Sequence, residues 1–155
     1  VEVNADDIAI GAIIGSGSFA EVRRGRLKGG AQGMDGVALE TQTAAKVRKR
    51  AEGRDTESPE IALKVLRDVR RQTLKRFWFE VLIMKDLDHP NIVRLLGATW
   101  RGRRLMMIVE YVGRGNLATV LEEGPTLTWK NEKFNMCLDI AKGMAYLHQY
   151  RCVGI

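Results

Sequence analysis

The hydrophobic pattern changes character five times along the chain. Ile8 to Ile14 is a β-branched run that meets Gly15-Ser-Gly-Ser18 and resumes at Phe19, Val22 and Leu27 before Gly29-Gly30, which predicts strand, glycine turn, strand. From about residue 29 to 59 periodicity disappears, apart from a short apolar patch at Ala44 to Val47, and the stretch reads as a mobile insertion ending at Ser58-Pro59. Ile61 to Leu66 is a compact strand with Lys64 in its middle. Arg70 to Leu87 then places Leu74, Phe77, Trp78, Val81 and Leu82 at helical spacing, with Thr73 as candidate N-cap and His89-Pro90 as the stop. Ile92 to Ala98 and Leu105 to Tyr111 predict two strands joined by a basic turn. Beyond Gly113 and Gly115, Asn116 to Glu122 predicts a short helix. Thr128 to His148 predicts a long one, striped by Phe134, Cys137, Leu138, Ala141, Met144, Ala145 and His148. Strands, one helix, strands and then helices only make an α+β chain without alternating parallel units.

Composition narrows the setting. At 155 residues the chain has room for one main unit. Two cysteines, Cys137 and Cys152, neither build a disulfide framework nor stand at metal-ligand spacing from His89 or His148, which points to a reducing, cytoplasmic setting and away from zinc. No apolar run approaches a membrane span, and the acidic first residues do not read as a secretory signal. The first residue is Val rather than Met, so a native start is not expected there. The net charge of +6 would suit a polyanion, but the cations are scattered between apolar segments without interleaved aromatics, so nucleic acid is not the expected partner. Lys46-Val-Arg-Lys-Arg50 also fits a short polyanion or nuclear-import patch.

Two features carry chemistry. Backbone amides of the turn Gly15-Ser16-Gly17-Ser18-Phe19-Ala20 can close over phosphate oxygens because no side chain blocks the approach. A plain hairpin turn accounts for the same residues. Strand continues after the turn, which disfavours a dinucleotide-binding fingerprint, and a terminal Gly-Lys-Ser/Thr is lacking. Lys64 in an apolar strand is costly to bury unless an anion faces it. Glu80, beside Phe77 and Met84 at the edge of the helical stripe, is the candidate partner.

With these pieces in order the sequence resembles the protein kinase family. The glycine turn followed by Val22, the strand Ile61-Ala-Leu-Lys64 and the helix with Phe79-Glu-Val-Leu-Ile-Met84 resemble the family's phosphate cover, third-strand lysine and helix C glutamate. His89-Pro-Asn-Ile-Val-Arg-Leu-Leu-Gly97 resembles the turn into its fourth strand, Met107 to Val112 its fifth strand and hinge, and Gly115-Asn-Leu117 the start of helix D. Asp139 to His148 is similar to helix E of the tyrosine-kinase-like serine/threonine branch. The resemblance implies a small lobe over residues 1–112, an antiparallel five-stranded sheet plus helix C, followed over 113–155 by the first helices of the large lobe. It further implies ATP, with Mg²⁺ in the complete domain, and a protein substrate. Adenine would lie under Ile14 and Val22, with Ala62 above the ring, Val109 as gatekeeper and the backbone of Glu110 and Val112 hydrogen-bonding the base. Met84 and Leu95 match part of the apolar stack that couples helix C to activity.

Three departures accompany the resemblance. Ala20 stands at the third loop glycine, a cost of roughly 1 kcal/mol if that position needs a positive φ. Lys46, in Thr43-Ala-Ala-Lys-Val47, also resembles the phosphate lysine, at a loop spacing nearer the family's usual one; the longer strand around Lys64 and its distance to Glu80 favour Lys64. The sequence given stops at Val153-Gly-Ile155, before the family's His-Arg-Asp and Asp-Phe-Gly motifs. Loss of a general base alone costs about 10²- to 10⁴-fold, so these 155 residues are expected not to transfer phosphoryl groups, whereas the parent protein is. A pseudokinase or truncated binding module is the alternative. Part of the long helix's apolar stripe is expected to be exposed.

Overall fold

The computed structural model describes residues 3–28, 60–101, 104–123 and 127–149. The expected insertion, with Lys46, lies outside the described residues. Strands β1 (Ile8–Ser16), β2 (Ala20–Leu27), β3 (Glu60–Leu66), β4 (Leu95–Arg101) and β5 (Arg104–Glu110) form one sheet in the order β1-β2-β3-β5-β4. Every neighbouring pair is antiparallel. With helix α1 (Arg71–Met84) against it, this is the small-lobe arrangement that the resemblance implies.

The side-chain period of two separates the strands' apolar residues between the two faces. Ile61, Leu63 and Val65 of β3 join Met106 and Ile108 of β5, with Ile8 and Leu96, on one face. Leu66, Leu105 and Met107 join Ala20, Ala98 and Phe77 of α1 on the other. Ala62, Lys64 and Leu66 therefore share the helix-bearing side. Lys64 is the one cation in that row.

Only part of the predicted helical stripe is buried. Phe77 is 2% exposed, and Leu74, Val81 and Met84 pack against its cluster, whereas Trp78 and Leu82 are 46% and 57% exposed. At 3.6 residues per turn, positions 74, 77, 81 and 84 form one narrow face, and 78 and 82 fall on its far flank. Thr73 is not the N-cap. That position belongs to Arg70, whose side chain makes no capping hydrogen bond, and Thr73 lies inside the first turn. The fourth strand begins at Leu95 rather than Ile92 because residues 89–92 are held in a turn: His89 Nδ1 accepts the Asn91 N–H at 3.1 Å, and the His89 carbonyl accepts that of Ile92 at 3.1 Å.

The chain divides into two compact units. Val1–Asp86 with Arg94–Tyr111 is one, and Leu87–Val93 with Val112–Ile155 the other. The second contains α2 (Leu117–Glu123) and α3 (Phe134–Gln149). Asn116 caps α2, its Oδ1 accepting the Thr119 N–H at 2.9 Å. The long helix predicted from Thr128 is a π turn over Trp129–Lys133 and then α3, with the Thr128 N–H and hydroxyl both donated to Glu132 Oε2. The buried contact of α3 is made by Gly143 rather than by the predicted stripe: a Cβ there would lie 3.0 Å from the Asn91 carbonyl oxygen. The His89 and Tyr146 rings stack at 4.9 Å beside it, and the Asp88 N–H is donated to the Tyr146 hydroxyl. Phe134, Leu138, Ile140 and Met144 are exposed. Among the described residues no helix is long and apolar enough to cross a membrane.

Candidate functional site

The glycine turn joins β1 to β2 at the sheet's edge, where the ladder is already irregular: the register shifts between Ile10 and Ile13 and again between Ile13 and Gly15. Register then carries the turn inward. Gly15 pairs with Val22, Val22 with Lys64 and Lys64 with Met107, while Ala62 pairs with Val109 in the adjoining row. Val22, Ala62, Lys64 and Val109 are thereby neighbours on the side of the sheet that carries α1. Ile14 is half exposed and Ala62 is buried.

Lys64 Nζ lies 2.7 Å from Glu80 Oε1 and 2.6 Å from Oε2. The helix face that buries Phe77 and Met84 carries Glu80 toward the strand, so packing brings the pair together. Deep burial of the ammonium, the premise that made a partner obligatory, is not observed: the two side chains keep 35% and 40% of their accessible surface.

The turn is shaped without unusual backbone. Among the described residues no non-glycine residue has a positive φ, so Ala20 carries none of the strain that a third glycine would have relieved. It is instead buried, as the first residue of β2. The Gly17 N–H is donated to the Ala20 carbonyl at 2.9 Å, which closes the tip on itself. Ser16, Gly17, Ser18 and Phe19 are exposed. Two arginines that sequence reasoning passed over hold this tip. The Arg67 N–H is donated to the Phe19 carbonyl at 3.2 Å and its guanidinium to Ser16 Oγ, while the Arg76 guanidinium lies 5.2 Å from the centre of the Phe19 ring. Neither arginine carries a signal in the sequence.

At the end of β5 the Glu110 N–H is donated to the Arg94 carbonyl at 3.1 Å, so only its carbonyl is available to a ligand. Val112 belongs to the second unit, is half exposed, and accepts the Gly115 N–H on its own carbonyl. Met84 and Leu95 pack on the α1 side of the sheet.

The nearby carboxylates are already matched to cations. A hydrogen bond from Arg23 holds the Glu21 carboxyl below its ordinary range, with the charges of Arg67 and Arg104 assisting against some desolvation. A hydrogen bond from Arg24 does the same for Glu60, with Arg26 assisting. A lowered folded-state value means that each contribution to stability is present above the ordinary carboxylate range and disappears as pH falls through the lowered value. Thermal denaturation followed from neutral pH to pH 2 is therefore expected to show a falling midpoint that is shallower in the variant E21Q/E60Q; equal slopes would mean that these pairs contribute nothing.

The donor set suits a nucleotide's phosphates: a half-exposed ammonium held in place, beneath a turn whose glycines keep the approach open. It does not suit Mg²⁺, since Glu80, Glu21 and Glu60 are each engaged and no cluster of three metal-ligating side chains occurs among the described residues.

Comparison with known proteins agrees with this geometry. The chain is 31% identical over 149 residues to the probable serine/threonine-protein kinase SIS8 of Arabidopsis thaliana, covering 95% of this chain and 12% of that protein. It is 28% identical over 152 residues to the tyrosine-protein kinase Fer of Mus musculus, covering 97% of this chain and 15% of that protein. To the serine/threonine-protein kinase CTR1 of Arabidopsis thaliana it is 38% identical over 93 residues, 57% of this chain and 11% of that protein. The chain thus spans only 11% to 15% of the length of these relatives. The model of the protein tyrosine and serine/threonine kinase family matches residues 8–154, and the chain belongs to that family.

Proposed function

We propose that this chain is the ATP-holding portion of a protein kinase domain, with residues 1–112 as the nucleotide lobe and 113–155 as the start of the helical lobe. The observation that carries the reading is the two-pronged contact of Lys64 with Glu80 in the row that begins at Gly15. Glu80 holds the ammonium still, and Lys64 neutralises phosphate oxygens. Gly15, Ser16, Gly17, Ser18, Phe19 and Ala20 close over the phosphates. Ile14, Val22, Ala62 and Val109 provide the apolar slot for adenine, whose amino group donates to the Glu110 carbonyl. Mg²⁺, when bound with the nucleotide, would offset phosphate charge, and no step assigned to these residues runs through it.

The parent protein's reaction in this reading is transfer of the γ-phosphoryl group of ATP to Ser or Thr hydroxyls of proteins. Its support is the similarity of Asp139 to His148 to the serine/threonine branch, together with relatives of that description. The 155 residues contain neither His-Arg-Asp nor Asp-Phe-Gly and alone bind nucleotide without transferring phosphoryl. Calorimetric titration of the chain with ATP is expected to show binding, and incubation with γ-labelled ATP and protein substrates to leave the substrates unlabelled. No binding would overturn the nucleotide assignment, and labelled substrate the inactivity. For the full-length gene product, labelled substrate is expected to yield phosphoserine and phosphothreonine on hydrolysis; phosphotyrosine alone would overturn the hydroxyl assignment.

A further inference from the structure

The glycine turn and α1 are tied together by contacts other than the ion pair, and the tie has a geometry that a plain hairpin does not need. Arg67 directly follows β3 and grips the turn twice, through its N–H on the Phe19 carbonyl and its guanidinium on Ser16 Oγ. Arg76 grips it from α1, its guanidinium over the face of a Phe19 ring that is itself 54% exposed. Burial alone does not account for the position of that ring. Arg76 and Glu80 stand one helical turn apart, so a single helix presents one cation to the lid and one carboxylate to Lys64. Displacing α1 far enough to separate Glu80 from Lys64 also removes Arg76 from Phe19.

We infer that Arg67 and Arg76 are positioning residues that register the phosphate lid to α1, so that lid placement and the Lys64–Glu80 contact form and break together. This rests on the nucleotide reading above. Neither arginine needs to touch the ligand. Cation–aromatic contacts at exposed sites are individually modest, corresponding to about a two- to fivefold change in an equilibrium, and truncating Arg67 removes only its guanidinium bond to Ser16, since the N–H donated to Phe19 is backbone and remains.

The test is titration of the 155-residue chain and its variants R76A, F19L, R76A/F19L and R67A with ATP and with adenosine. ATP affinity is expected to fall about threefold in R76A and in F19L, and by a similar factor in R67A, while adenosine affinity stays unchanged. Because Arg76 and Phe19 act through one contact, the double variant is expected to be no weaker than either single one. R76K is expected to restore part of the loss. A merely structural role would weaken both ligands alike, and a direct charge effect of Arg76 on the phosphates would leave F19L indistinguishable from wild type; either result overturns the inference, as does tighter ATP binding in R76A. A wild-type chain that binds neither ligand overturns the nucleotide reading and this inference with it. Wild-type ATP binding with unchanged R67A and R76A overturns this inference alone.

Discussion

Replacing Lys64 with Met is expected to weaken ATP binding by about 10- to 100-fold, the ~1.5–3 kcal/mol of hydrogen bonds to a charged group, while adenosine binding hardly changes. The same substitution is expected to leave the melting midpoint nearly untouched. This contrast follows from the exposure of the pair: ion pairs open to water contribute about 0–1 kcal/mol to folding, and Lys64 and Glu80 each keep more than a third of their surface. Were the pair deeply buried, Met would shift stability more than affinity, since removing one partner leaves the other as an uncompensated buried charge at a cost of about 3–5 kcal/mol. Glu80→Gln is the companion variant. Its amide still accepts one hydrogen bond from Lys64 but no longer offers two charged oxygens, so its ATP affinity is expected between those of wild type and K64M. Calorimetry with both ligands, alongside melting curves, separates the two effects; a large loss of stability in K64M without selective loss of ATP would contradict the assignment.

Phe77→Ala is expected to destabilise the first unit by about 3–5 kcal/mol, the usual cost of emptying a buried aromatic site. Phe77 is 2% exposed and joins α1 to Ala20, Leu66, Ala98, Leu105 and Met107 of the sheet. Its neighbour supplies the control. Trp78 is larger, stands edge-on to the Phe77 ring at 5.5 Å and is 46% exposed, so Trp78→Ala is expected to cost well under half as much. Urea unfolding of the two variants measures the difference. Equal losses would mean that α1 is held by its outer flank and that the face presenting Glu80 is not the anchored one.

The succession of strands and helices was legible because apolar period and glycine punctuation agree through β1, β2, β3 and α1. The ends of elements were less so. Ile92 looks like strand, yet the hydrogen bonds of His89 keep it in a turn, and nothing in a β-branched residue distinguishes the two. Trp78 and Leu82 were assigned to the helical core from spacing alone. Spacing gives a wheel but not its rotation, and here the sheet is met by the arc centred on Phe77, which also brings Glu80 inward. For α3 the expected exposure of part of the stripe is what the structure has: Phe134, Leu138 and Met144 are exposed, and a glycine packed on the Asn91 carbonyl makes the contact. Lys64 and Glu80 were identifiable because a lone cation in an apolar strand and a carboxylate at the edge of an apolar stripe stand out, although the burial that would have demanded their pairing is not observed. Arg67 and Arg76 were not, since arginines on polar flanks are ordinarily solvated and only coordinates show what lies beneath them.

The central claim is that Lys64 stands beside a nucleotide's phosphates. An acyl-phosphate derivative of ATP tests it directly: a lysine amine lying next to the terminal phosphate attacks the acyl carbonyl, ATP leaves, and the amide that forms marks that lysine. After digestion, mass spectrometry is expected to find the mark on Lys64 and to find it suppressed by excess unmodified ATP. A mark on Lys46 instead, or labelling of Lys64 that excess ATP does not suppress, would contradict the account.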